Sequence, residues 1–159
     1  MSLSTDLADL YRRDLTRLLQ QLDAFPDTAA LWRTLPGVTN SAGNLIIHLE
    51  GNLREYIGRC IAGIPYQRHR DAEFSSTGLS IDDLRPRIQS LIDTIPPAIA
   101  ALTPDALAAI QPEPLGKMQM PTHQYLLHLY GHFNYHLGQI DYLRRISTSD
   151  GAISLAQLG

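Results

Sequence analysis

Apolar residues recur at spacings of three and four in four stretches of this chain, each long enough for a helix. Leu7, Leu10, Tyr11, Leu15, Leu18, Leu19 and Leu22 form one face with charges between them, and the pattern stops before Phe25-Pro26. A second stripe of Leu45, Leu49, Leu53, Tyr56, Ile57 and Cys60 follows the turn-like LPGVTNSAGN. There Asn40 or Ser41 can cap the helix by accepting from its free N–H groups, and Gly63-Ile64-Pro65 ends it.

The third helix opens at Ser80, with Asp82 and Asp83 in the first turn where negative charge favours the helix dipole. Leu84, Ile88, Leu91, Ile92 and Ile95 supply its face. Pro96-Pro97 then predicts a kink or an end, because proline lacks the N–H and clashes with the preceding turn; helix can resume through Ala98 to Leu102. The fourth runs from Pro121-Thr122 to about Ile146, with Arg144 and Arg145 near its negative end. Strand signal is thin: PEPLGKMQMPT alternates weakly and predicts at most a short extended piece. The connection from Pro65 to Gly78 is too polar for core, and loops of that length are often functional. Four helices with long connections predict an all-α four-helix bundle in which sequential helices need not be neighbours.

Composition narrows the class. At 159 residues with 44% hydrophobic and 18% charged positions, the chain reads as one soluble globular domain over 1–159, with a core to about 147 and a tail over 148–159. A net charge of −3 without a basic run argues against nucleic acid as a partner. No stretch approaches the apolar length of a membrane span. The single Cys60 and an N-terminus without a signal-like apolar core predict a cytoplasmic protein.

The chemistry concentrates in HLYGHFNYHLGQI, where His128, His132 and His136 stand four residues apart. Imidazoles at that spacing share one helix face and can converge on a divalent ion. His128/His132 and His132/His136 both qualify. All three cannot, since His128 and His136 lie about 12 Å apart along the axis. A third ligand must come from another helix, and His48 is the only histidine in the apolar second helix. His69 and His123 read as ordinary helix or loop histidines.

The stretches SAGNLIIHLEGNLREYI, RHRDAEF and HLYGHFNYHLGQIDYLRR together resemble the DinB superfamily, which includes YfiT-like proteins, and more narrowly a bacterial branch of unknown function. The resemblance runs from about residue 5 to 147. Its most specific parts are HxxxHxGQI, here His132 to Ile140, and an HLxGN context, here His48 to Asn52. It implies a four-helix bundle with a long crossover, a metal triad of His48, His132 and His136 with His128 outside it, and a homodimer. It further implies metal-dependent hydrolases, or transferases that move bacterial low-molecular-weight thiols to small-molecule electrophiles.

Three neutral imidazoles leave a divalent transition ion, such as zinc, nickel or iron, an open position of the catalytic kind. Helical spacing places Asn44, Asn52 and Glu55 on the side of His48, and Gln139 three residues beyond His136. Glu55 is the expected catalytic carboxylate, orienting an imidazole or accepting a proton, and Asn44, Asn52 and Gln139 are expected to line the cavity. Asp71 and Glu73 are further candidates to lid the pocket or complete its shell. Trp32 and Tyr135 read as core or rim aromatics. A non-catalytic, stress-associated metal-binding or dimeric scaffold is the competing reading.

Overall fold

The computed structural model describes residues 2–153, so the last six residues of the expected tail lie outside the described residues. Seven α-helices follow in order: α1 Leu3–Asp23, α2 Thr28–Leu31, α3 Ala42–Leu53, α4 Arg70–Ser75, α5 Ile81–Ala100, α6 Pro104–Ala108 and α7 Thr122–Thr148. A π-helical segment, Arg54–Arg59, extends α3 without a break. The four long elements are those the periodicity predicts. The short α2, α4 and α6 are additions that the sequence pattern does not announce, being too brief to carry a stripe.

Local chemistry sets the helix starts. Ser41 accepts from the Asn44 backbone N–H while Asn44 accepts from the Ser41 backbone, and Ser80 and Asp83 form the same reciprocal pair at α5. The third helix does not end at Pro96-Pro97. α5 runs through Pro96 and Pro97 to Ala100, and Ala101 N–H returns to the Pro97 carbonyl. Each interior proline costs about 3 kcal/mol, yet α5 makes with α1 the most extensive helix–helix contact in the bundle. Ile95, Pro96 and Ile99 are buried there, so packing overrides the local penalty.

Around the bundle, α1 packs on α5 and α7, while α3 packs on α7 and on α5. The consecutive long helices α1 and α3 therefore lie on a diagonal, as do α5 and α7. That is the crossover topology, and it sets α3 beside α7. The Tyr11 hydroxyl donates to the Leu126 carbonyl at 2.8 Å, tying α1 to α7 inside a core that also holds Leu15, Leu18, Leu49, Leu91 and Phe133. The PEPLGKMQMPT segment forms two isolated antiparallel bridges, Ile110 to Pro121 and Leu115 to Met118, turning at Gly116 with φ of 64°. Among the described residues no helix is long and apolar enough to cross a membrane.

Arg144, in the last turns of α7, is only 1% exposed, and it donates to Gln21 Oε1 at 2.7 Å, to Asp141 and to the Gly151 carbonyl. The reason is its place on the inner side of α7, facing α1. Replacing Arg144 by Met should lower the unfolding free energy by about 2–4 kcal/mol, because Gln21 and Asp141 lose a charged donor inside the protein. Arg145→Ala, at a half-exposed position, should stay within about 0.5 kcal/mol of wild type. Urea denaturation distinguishes the two; equal, small losses would mean the buried network contributes nothing.

Candidate metal centre

Three imidazoles meet where α3 crosses α7. His48 sits mid-α3, 6% exposed, and His132 and His136 project from successive turns of α7. Ring centroids lie 5.1 Å apart for His48 and His132, 5.1 Å for His48 and His136, and 4.6 Å for His132 and His136. One nitrogen from each falls within 4.8 Å of the others, so a single ion can be reached by all three. His128 is exposed and belongs to the cavity wall above this group, one turn away from His132.

The nitrogens behind the cluster decide which nitrogens face it. His48 Nδ1 lies 2.8 Å from Glu73 Oε2, and a carboxylate only accepts, so Nδ1 carries the proton and Nε2 a lone pair. His136 Nδ1 lies 2.7 Å from Gln139 Oε1 and is fixed in the same sense. His132 turns Nε2 to within 3.2 Å of His48 Nε2, while its buried Nδ1 has no protein partner among the described residues. Two inward lone pairs and a third imidazole free to present its own match a borderline-soft divalent cation. The residues present fit the metal that the sequence implies.

Burial disfavours the charged form of His48 and His132. Burial lowers the His132 pKa, helped by repulsion from His136 and His48, to about 4. Burial also lowers His48, although Glu73 pulls the other way. For Glu73, burial pushes the carboxyl up, but hydrogen bonds from Arg68 and His48 outweigh it and leave the group below the usual carboxylate range. The ionised Glu73 is held by Arg68 through two bonds, Nε to Oε1 at 2.6 Å and Nη2 to Oε2 at 2.8 Å.

Glu73 is 3% exposed, at the turn of α4 that lies on α3. A Cβ at Gly51 would overlap its carboxylate, so the glycine of the HLEGN stretch is what admits the acid beside His48. The connection over 65–78 thus contributes a buried group, contrary to the expectation from its polarity. Asn44 caps α3 and donates to the Glu73 and Ser76 carbonyls, fastening α4 in place.

Glu55 does not take the expected position. Seven residues beyond His48 is about 10.5 Å along the helix, and its carboxylate accepts instead from Arg59 at 2.6 Å. Glu55, Cys60 and Glu113 form a second group of potential ligands, but Arg59 bonds both carboxylates and supplies its positive charge. Burial pushes the Cys60 thiol up to about 11. Asp71 stays exposed on α4. Gln139 holds His136 from behind and lines a neighbouring groove with Leu45 and Tyr142. Trp32 packs its ring against Gly43 and donates to the Leu79 carbonyl, and Tyr135 is 65% exposed beside His136.

The cluster opens into a cavity of about 410 Å³. Asn52, Tyr56, Phe74 and Leu115 are among its walls, whereas Asn44 and Gln139 are not. Arg68, Arg70 and Phe74, all from the polar connection or its helix, had no periodic signal to reveal them; their only sequence cue is the RHRDAEF stretch itself.

Comparison with known proteins bears on this geometry. A search of curated proteins gives no match. Among solved structures, a DinB-like protein from Bacillus cereus superimposes with a TM-score of 0.66 at 18% identity, covering 88% of this chain and 91% of that one. At that identity the likeness establishes the fold. The family described as mycothiol-S-transferase matches residues 6–149, nearly the whole chain and the entire histidine site. With the DinB-like bundle and the family match coinciding, this chain belongs to the mycothiol-S-transferase family.

Proposed function

We propose that the chain is a metal-dependent thiol S-transferase whose divalent transition ion is held by His48, His132 and His136. The observation that carries this reading is the convergence of three imidazoles from two helices, two of them fixed from behind, on the floor of a cavity. When bound, such an ion supplies the Lewis acidity that keeps a thiol ionised near neutral pH. Zinc, nickel and iron all suit imidazole donors. The chain's own residues orient and enclose: Glu73 and Gln139 hold the rings, while Tyr56, Phe74 and Leu115 wall the cavity with apolar surface.

Hydrolysis is the other chemistry open to such a set, and it needs a base within hydrogen-bond reach of the attacking water. Among the described residues no carboxylate lines the cavity, since Glu73 lies behind His48 and is engaged by Arg68. A thiol ionises far more readily than water and can lose its proton to solvent. That difference favours transfer over hydrolysis. A cytoplasmic, reducing setting suits both a free Cys60 and a thiol substrate.

The same reading includes a homodimer. Leu127, Gly131, Tyr135, Gly138, Tyr142 and Ile146 share one exposed stripe of α7, and the large members are 49–65% exposed. A Cβ at Gly131 or Gly138 would meet nothing within 4 Å, so neither glycine is needed for packing inside the chain. Both lower helix stability, by about 1 kcal/mol each, and a second copy of the stripe gives them a purpose by approaching closely.

Four outcomes follow. Elemental analysis of untagged protein should find about one ion per chain; His132→Ala should remove it and His128→Ala should leave it nearly unchanged. Equal losses would move the ligand set to the other pair. Consumption of a low-molecular-weight thiol by a haloaromatic electrophile should stop on chelation and resume on metal addition, whereas ester hydrolysis that ignores thiol would favour the hydrolase, and metal-loaded protein inert in both assays would favour a scaffold. Glu73→Gln should weaken metal binding about 10–100-fold by loosening the His48 ring, read by competition with a chromogenic chelator; unaltered affinity would mean Glu73 serves only to dock α4. Tyr142→Glu should convert a dimer to monomer by sedimentation equilibrium, and a wild-type monomer would remove the dimer from this reading.

A further inference from the structure

Charge in the cavity is one-sided. Its wall carries Arg68 and Arg70 and, among the described residues, no carboxylate, although the chain as a whole has a net charge of −3. Arg68 is spoken for, since both of its bonds to Glu73 neutralise it. Arg70 is different. It forms no ion pair among the described residues, and its guanidinium lies over the Phe74 ring, 5.3 Å from the centroid. Phe74 in turn stands 4.9 Å from the His48 ring. Stacking on an aromatic face positions a guanidinium while leaving its in-plane N–H donors free. Arg70 is thus an uncommitted fork-shaped donor one ring away from the histidine cluster.

Asn52 adds an independent observation. It sits one turn beyond His48 and is 7% exposed, yet its amide makes no hydrogen bond with the protein among the described residues. Its Oδ1 is shielded from bulk solvent and has no partner. A buried amide oxygen left in that condition is costly, and the side chain lines the cavity. Its hydrogen-bonding capacity is directed at whatever enters.

We propose that the cavity is built for an organic anion, with Arg70 holding the anionic group, Asn52 engaging a neighbouring amide or hydroxyl, and Tyr56, Phe74 and Leu115 enclosing the apolar body. The inference rests on the transferase reading only for which molecule this is, one of the two substrates of transfer. The recognition itself needs neither ion nor thiol. A bidentate guanidinium contact suits a carboxylate or sulfonate, whose oxygens match the spacing of its N–H groups.

The test uses full-length, chelator-treated protein, so that a carboxylate cannot be read as a metal ligand. Hippurate has an aromatic body, an amide N–H and a carboxylate, and hippuramide is its neutral counterpart. Titration calorimetry should show wild type binding hippurate at least about tenfold more tightly than hippuramide, the ratio expected of one charge-assisted hydrogen-bonded contact. Arg70→Gln should remove the preference, and Arg70→Lys should restore part of it as a point charge without the fork. Asn52→Ala should weaken both probes alike and keep their ratio. Circular dichroism checks that the variants remain folded, which the exposed position of Arg70 favours. Equal affinities in wild type, a preference that survives Arg70→Gln, or binding of neither probe overturns the proposal. Any of these leaves the transferase reading standing if thiol consumption with a neutral electrophile persists; loss of that activity with the preference intact would do the reverse.

Discussion

The hydrogen bond between Glu73 and His48 is the constraint on which the site depends. It brings an ionised carboxylate into a 3% exposed position, which is costly unless the charge is matched. Arg68 matches it with two bonds and His48 adds a third. Everything else near the site accommodates that group. Gly51 has no side chain where the carboxylate must lie, Asn44 bonds the carbonyl of Glu73 itself, and α4 forms just long enough to deliver the acid. In return the bond selects the His48 tautomer, and so determines that a lone pair faces His132 and His136.

The bundle's crossover supplies the other half of the geometry. Because α1 and α3 lie on a diagonal, α3 is left beside α7, and one histidine of the first can meet two of the second. The π-helical turns after α3 fall next to the site and present Tyr56 to the cavity, with Arg68 over its ring at 5.5 Å. Such insertions commonly accompany functional sites. Here one follows the histidine helix directly, and one of its residues lines the cavity.

Much of this was legible in residue order, and the exceptions share a cause. Four amphipathic stripes, the helix start at Ser80, the cap at Asn40 or Ser41 (the structure uses Ser41), and the HxxxH spacing are local properties that period and propensity express directly. Glu73 could be named only as one of two acids in a polar connection, because its burial depends on how residues 65–78 return to α3. Glu55 looked nearer to His48 than it is, since angular agreement on a helix hides a separation of two turns along the axis. Pro96 and Pro97 predicted a kink or an end, and packing against α1 carries the helix past them, while the burial of Arg144 depends on a partner, Gln21, that is 123 residues away. Spacing left the choice between two histidine pairs open; the resemblance to DinB proteins selected His132 and His136, and the structure brings that pair to His48.

The central claim is that three imidazoles, with a thiol as the exchangeable partner, make up the metal's environment. X-ray absorption at the metal edge, on protein loaded with one equivalent of zinc, tests it most directly. Three imidazole scatterers and no sulfur are predicted before a low-molecular-weight thiol is added, and one sulfur after. A sulfur scatterer from the outset would place the ion on Cys60 with Glu55 and Glu113. That result, or an imidazole count unchanged in His132→Ala, would contradict the account.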